Sequence, residues 1–327
     1  MSFSQYLRAI TPDPGAFRDL SADSARTLFG AMLDGGIPEL ELGGLLVALR
    51  MKGESLAELL GGYEAASERL LRLRPPASNT RPVVIPSYNG ARKQPNLTPL
   101  VAMLLHRMGV PVLVHGTLEG HGRVTSAHVL RELGVLPSGT LAQAQAILDR
   151  GEVAFVPTGV FSPGLATLLG LRGRLGLRNS AHTLAKLVDP FGREGLRVIG
   201  VTHPDYFARI HAFLLASGER AIIMRGTEGE PYANPRKRPR IEYIEDGAAR
   251  VLFEQELTAE DLQAPLPESI DAKATAAHVQ RVLAGRAAVP LPILNQLACC
   301  LYASGYAPDF NQAKAIVAVQ AHTIAAA

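Results

Sequence analysis

The chain has 327 residues, 47% hydrophobic and 19% charged, with a formal net charge of +3 at pH 7; this ordinary globular usage excludes a disordered or low-complexity protein. Two cysteines, the neighbours Cys299 and Cys300, exclude a disulfide framework and a cysteine zinc site. No apolar run approaches the ~20 residues that span a bilayer, and residues 1–6 lack the basic segment and apolar run of a signal peptide, so the expected location is the cytoplasm.

The first part reads as consecutive short helices. Ser21 is placed to cap a helix on which Ala25, Leu28, Phe29, Met32 and Leu33 recur at helical spacing until Gly35 and Gly36 stop it. Pro38 then suits a first helical turn, with Leu42, Leu45, Leu46 and Leu49 on one face. Ser55 can cap a third helix carrying Leu56, Leu59, Leu60 and Tyr63. These elements predict a small helical domain over residues 1–77, ending at the Pro75, Pro76, Ser78, Asn79 boundary.

Beyond the boundary, residues 78–327 predict an α/β domain with a central, mostly parallel sheet. Apolar runs at 83–85, 112–115, 153–156, 198–201 and 221–224 suit buried parallel strands, and helical segments separate them. Residues 241–244 and 251–253 add edge strands around a turn at Asp246 and Gly247, and the C-terminal part is helical. In such sheets function gathers at the loops after the strand carboxyl ends. The first of these loops spans residues 86–94 and holds Arg92 and Lys93; the second spans 116–123.

The cations are unevenly placed. Residues 69–118, 153–188 and 231–240 contain no Asp or Glu, yet carry Arg69, Arg72, Arg74, Arg81, Arg92, Lys93, Arg107, Arg172, Arg174, Arg178, Lys186, Arg236, Lys237, Arg238 and Arg240. Brought together by the fold, they would attract a polyanion or a phosphorylated substrate. Arg69, Arg72 and Arg74 read as a solvated face near the domain boundary. His115 and His182 read as hydrogen-bonded interior residues, and no cluster supports a metal. Tyr88 either packs in its loop or stacks on a base. Trp is absent, so backbone charge should dominate any nucleic-acid binding.

Residues 20–60, above all the run LVALRMKGES at 46–55, resemble the helical domain of the anthranilate phosphoribosyltransferases. The likeness continues through Gly109-Val110-Pro111-Val112, His115-Gly116, residues 129–135 and Leu175-Gly176-Leu177-Arg178. It implies a small helical domain joined in space by about residues 160–190, a larger α/β domain, a cleft between them, and dimerisation through the helical domain. The family's working motifs are altered. Its Gly-Thr-Gly-Gly-Asp-Gly phosphate loop is matched by residues 86–91, Pro-Ser-Tyr-Asn-Gly-Ala, and its Lys-His-Gly-Asn-Arg motif by residues 114–118, Val-His-Gly-Thr-Leu. A later Ser-Ser-Lys becomes His121-Gly122-Arg123, and the magnesium-binding Asp-Glu pair aligns with Pro231-Tyr232.

Loss of glycines and acids with retention of cations is similar to the YbiB-type branch of this family, whose members form homodimers and bind nucleic acid without evident sequence preference. The resemblance implies a homodimeric DNA- or RNA-binding protein without cofactor or metal, acting through the phosphate backbone. Arg92, Lys93, Arg123, Arg172, Arg174, Arg178, Arg236, Lys237, Arg238 and Arg240 are its expected contacts. The alternatives are a transferase acting on a phosphorylated, phosphoribosyl-type small molecule and a regulatory or scaffold subunit.

Overall fold

The computed structural model describes residues 2–326, with side chains through residue 320. The chain divides into two compact units, Met1–Arg72 with Thr158–Gly192, and Leu73–Pro157 with Arg193–Ala327. The division falls shortly before the boundary expected at residue 77: Leu71 donates its N–H to the Phe161 carbonyl at 2.8 Å and stays with the returning segment, whereas the Arg74 backbone exchanges two hydrogen bonds with Gln145, at 2.8 and 3.1 Å, and goes with the second unit.

The first unit is helical. Helices Phe3–Ile10, Ala22–Leu33, Glu39–Lys52 and Leu56–Glu68 are joined by Pro163–Gly170, Ala181–Leu187 and two single turns. Ser21 accepts the Ser24 N–H as an N-cap, and Ser55 forms a reciprocal capping box with Glu58. Glu58 does more than cap. Fully buried, it accepts from the N–H groups of Leu20 and Ser55 at 2.9 and 2.8 Å and from Lys52 Nζ at 2.5 Å, which ties two helix ends and a loop to one carboxylate. Helices Ala22–Leu33 and Leu56–Glu68 pack closely because Gly61 faces the Ala22 carbonyl and Gly62 lies under the Phe29 ring. Gly164 likewise lets helix Pro163–Gly170 approach the backbone at Leu33.

The second unit is built on strands β1 (Val83–Ser87), β2 (Val112–Gly116), β3 (Ala154–Pro157), β4 (Leu196–Gly200), β5 (Ala221–Met224), β6 (Lys237–Arg238), β7 (Ile241–Glu245), β8 (Ala248–Phe253) and β9 (Glu256–Leu257). A seven-stranded sheet runs in the order β3-β2-β1-β4-β5-β7-β8, and β6 and β9 form a separate pair. The first five strands of that order pair in parallel; β7 and β8 add antiparallel edges, as expected. Asp246 and Gly247, with φ of 49° and 77°, make the tight β7–β8 turn, where two left-handed residues match the strand twist.

β4 starts at Leu196 rather than Val198. Arg197 hides this start from hydrophobicity, yet its side chain is 1% exposed and neutralised by Glu219 at 2.5 Å. Helices Thr98–Arg107, Ala272–Leu283 and Leu291–Ala303 cover one sheet face and complete an apolar core. Cys299 and Cys300 lie in that core as free thiols, the latter pushed by burial up to about 12. Among the described residues no helix is long and apolar enough to cross a membrane.

Candidate functional site

The parallel register β1–β2 runs from Val83 opposite Val112 to Ser87 opposite Gly116, so these strands finish level with each other. The loop after β1 (residues 88–97) begins at this end of the sheet, and the loop after β5 (residues 225–236) folds across it. Gly200 and Gly226 make the crossing possible: a side chain at either would collide with the Glu230 carbonyl. The crossing loop is clamped from several sides. The Thr227 N–H and Oγ1 both donate to the Tyr232 carbonyl, at 3.0 and 3.1 Å. Tyr232 Oη donates to the Pro95 carbonyl at 2.7 Å, and Gln296 binds the Pro231 carbonyl and the Ala233 N–H at 2.9 and 2.7 Å.

This clamp presents two carboxylates to the loop after β1. Glu230, fully buried, receives the N–H groups of Asn89 and Gly90 on Oε1 at 2.7 and 2.8 Å. Its Oε2 is surrounded by hydroxyls: Ser87 in a short hydrogen bond, Thr98 at 3.2 Å and Ser126 at 3.5 Å. Glu228 receives the N–H groups of Arg92, Lys93 and Gln94 on Oε1 at 3.1, 2.8 and 3.1 Å, with Arg123 Nη1 at 3.6 Å from Oε2. Gly229 lies between them at φ 82°, against Asn89 Nδ2 and Thr202 Oγ1, and Glu228 itself takes the left-handed region at φ 53°. Consecutive N–H groups converging on one point form an anion nest. Here the anions in the nest are the protein's own.

Glu228 and Glu230 stand just before Pro231 and Tyr232 and enter the site from there. Neither offers a magnesium site. A divalent cation needs several oxygen acceptors, whereas each carboxylate faces N–H and O–H donors, and among the described residues no group of three His, Cys, Asp or Glu could hold a metal. Of the two readings of Tyr88, packing is the one observed: Tyr88 is buried, with its hydroxyl 2.7 Å from His115 Nδ1. Burial lowers His115 to about 3, so the imidazole stays neutral at physiological pH.

Of the expected phosphate contacts, Arg92 and Lys93 are exposed, and their side chains make no ion pair among the described residues. Arg123 is mostly buried, with Nη1 donating to the Gly90 carbonyl at 3.2 Å beside Glu228, so it braces the loop. Arg225, absent from the sequence reading, is exposed at the end of β5 and donates to the Thr202 carbonyl at 3.2 Å.

In the 236–240 cluster, Arg236 hydrogen-bonds Gln263 and Lys237 is exposed without an ion pair among the described residues. Arg238 meets Glu256 at 2.5 Å across the β6–β9 pair and covers the Phe253 ring at 4.6 Å. Arg240 lies 3.0 Å from Glu242 and 3.7 Å from Glu254.

Arg172, Arg174 and Arg178 belong to the helical unit. Arg174 grips Glu39 with two bonds of 2.9 Å, which hold that carboxyl below its usual range. Arg172 and Arg178 lie near His182, which is lowered to about 3 by burial first and by these cations second.

A helical unit together with a mostly parallel sheet unit, whose loop after β1 is built to cradle an anion, defines the anthranilate phosphoribosyltransferase-like fold. The anthranilate phosphoribosyltransferase TrpD of Thermus thermophilus superimposes with a TM-score of 0.75 at 24% identity, over 99% of this chain and 95% of that one. The Saccharomyces cerevisiae enzyme in complex with PRPP and Mg gives 0.72 at 16% identity, over 99% and 94%. Residues 4–69 match the helical bundle domain of the glycosyl transferase family. The uncharacterized protein YbiB of Escherichia coli K12 is 46% identical over 97% of this chain and 99% of its own length. The anthranilate phosphoribosyltransferase of Methylocella silvestris is 26% identical over 91% and 86%. The chain belongs to the family of YbiB.

Proposed function

We propose that the protein is a homodimer that binds DNA or RNA with little sequence preference, holding the phosphate backbone by charge. One observation carries this reading. The cradle after β1 is filled by Glu228 and Glu230, while Arg92 and Lys93 of the same loop stand exposed beside it, without ion pairs among the described residues. In the related yeast enzyme the fold accommodates PRPP with Mg; here a diphosphate would have to share its seat with two buried or half-buried carboxylates. Exposed cations with no internal partner remain available to an external polyanion. Lys237 on β6 extends the same chemistry, and Arg225 and Arg236 on the loop after β5 add exposed charge although each hydrogen-bonds a neighbour, Thr202 and Gln263.

Self-association has its own support. Leu40, Val47 and Met51 are 85%, 37% and 69% exposed on helix Glu39–Lys52, spaced to share one face. An exposed apolar stripe on a helix is the surface that a second copy can cover.

The test is a salt series on purified protein with single-stranded DNA, duplex DNA and RNA of matched length. Affinity should fall with salt for every sequence alike, and joint replacement of Arg92 and Lys93 by Ala should flatten the log–log slope. Loss of two phosphate contacts corresponds to about 1.8 on duplex DNA or about 1.4 on single strands. No binding at low salt, or binding indifferent to salt, refutes the proposal. Saturable magnesium-dependent binding of phosphoribosyl diphosphate would favour a transferase instead.

A further inference from the structure

We infer that the loop after β1 is a two-seat oxyanion site, in which Glu230 is a permanent occupant and Glu228 a tethered, exchangeable one that a phosphate group of the bound ligand replaces. The inference deepens the nucleic-acid reading and rests on it for the identity of the ligand.

The seats differ in ways that separate a structural role from an exchangeable one. The Glu230 seat is closed. Its carboxylate is 0% exposed, and Ser87, Thr98 and Ser126 supply hydroxyls from a strand and two helices, so leaving would strand buried donors as well as a buried charge. The Glu228 seat opens outward. Its side chain is 14% exposed, and three consecutive N–H groups, those of Arg92, Lys93 and Gln94, point at one oxygen. Two of the residues that supply those N–H groups also supply exposed cationic side chains, so an incoming anion meets charge first and the nest second. Glu228 occupies the seat in a left-handed backbone conformation, φ 53° and ψ 20°, which a residue with a side chain adopts at a cost. Release of the carboxylate frees that residue to relax.

The chemistry of the occupant indicates what can replace it. A carboxylate brings one negative charge and two acceptor oxygens, here with three N–H donors on Oε1 and Arg123 beside Oε2. A phosphodiester also brings one negative charge and two non-bridging oxygens, and backbone N–H nests are established phosphate seats. Inorganic phosphate shares the oxygens but carries more charge, so the two sources can be told apart by titrating each. Glu228 is a competitor tethered by its own chain, and a tethered group acts at high effective concentration. Weak anions are therefore kept out, and a polyanion already held by Arg92 and Lys93 can displace it.

The full-length protein and its Glu228→Ala and Glu228→Gln variants should be titrated at low salt with inorganic phosphate and, separately, with a thymidine oligonucleotide of about ten residues. Thermal melting would confirm that each variant is folded. Both variants are expected to bind inorganic phosphate about tenfold or more tightly than the parent, because the internal competitor is gone. In the parent, the oligonucleotide should shift the amide resonances of Arg92, Lys93 and Gln94, a measurement that needs no variant to fold. Folded variants with no gain in phosphate affinity, or parent amides that do not respond to bound oligonucleotide, overturn the inference. A parent that binds no oligonucleotide, together with variants that gain phosphate binding, would uphold the exchangeable seat and remove the nucleic-acid reading. Oligonucleotide binding without a phosphate gain does the reverse.

Discussion

His115 shows how one buried side chain sets a pH limit on the second unit. Its neighbour on β1's loop, Tyr88, offers a hydroxyl at 2.7 Å, and burial holds the imidazole at about 3 where an unfolded chain titrates at about 6.5. The folded state thus refuses a proton that the unfolded state accepts. The stability this site contributes is complete above pH ~6.5 and is lost as pH falls toward 3. Chemical denaturation should show about 1 to 2 kcal/mol lost from this site between pH 6.5 and 5, with a shallower pH slope in His115→Gln. An identical slope in the variant would assign the acid sensitivity elsewhere. At this scale the cations were legible in the sequence and their partners were not. Arg238 and Arg240 stand in a stretch free of acids, yet Glu254 and Glu256 reach them from the neighbouring strand region. Glu230 meets Gly90 across 140 positions of sequence, a separation that no local pattern encodes.

Elements were more legible because their signals are local. Ser21, Ser55 and the glycine pair after Leu33 announce helix limits through capping chemistry, and the apolar runs announce parallel strands. Arg197 is the exception: a charge inside a strand lowers the apolar signal until the fold supplies Glu219. Glycines that allow elements to touch are equally silent in sequence. Gly61 lies against the Ala22 carbonyl with the Arg26 nitrogen 2.8 Å from where a methyl would sit. Gly61→Ala should therefore force helices Ala22–Leu33 and Leu56–Glu68 apart and cost about 1–3 kcal/mol, despite alanine's better helix propensity. Thermal melting checks this; a variant more stable than the parent would mean the pair can slide to accommodate the methyl.

At the scale of the whole molecule, charge and apolar surface divide the proposed work. The helical unit exposes Leu40, Val47 and Met51 on one helix face, and the sheet unit exposes Arg92, Lys93 and Lys237 on its loops and β6. Replacing Leu40 and Met51 by Glu should yield a monomer in sedimentation experiments, since charges opposed across a two-fold interface repel and cannot be solvated there. Such a monomer should keep its fold, because neither side chain is buried within the unit. It should also bind long nucleic acid more weakly than the dimer by about 10²-fold or more, the avidity of two linked sites. An unchanged sedimentation coefficient would place self-association on another surface.

The helical unit is assembled from two stretches of chain, residues up to 72 and residues 158–192. A ribosome adding about 5–20 residues per second therefore releases the first four helices well before helix Pro163–Gly170 arrives to seat Gly164 against Leu33. During those seconds the apolar residues that later face it have no native cover. Their completion depends on synthesis of β1, β2 and β3 in between, so the small unit cannot finish folding until much of the large one exists. The chain order makes the helical unit the first begun yet leaves it open until residues 158–192 are made, a window in which chaperones would find it.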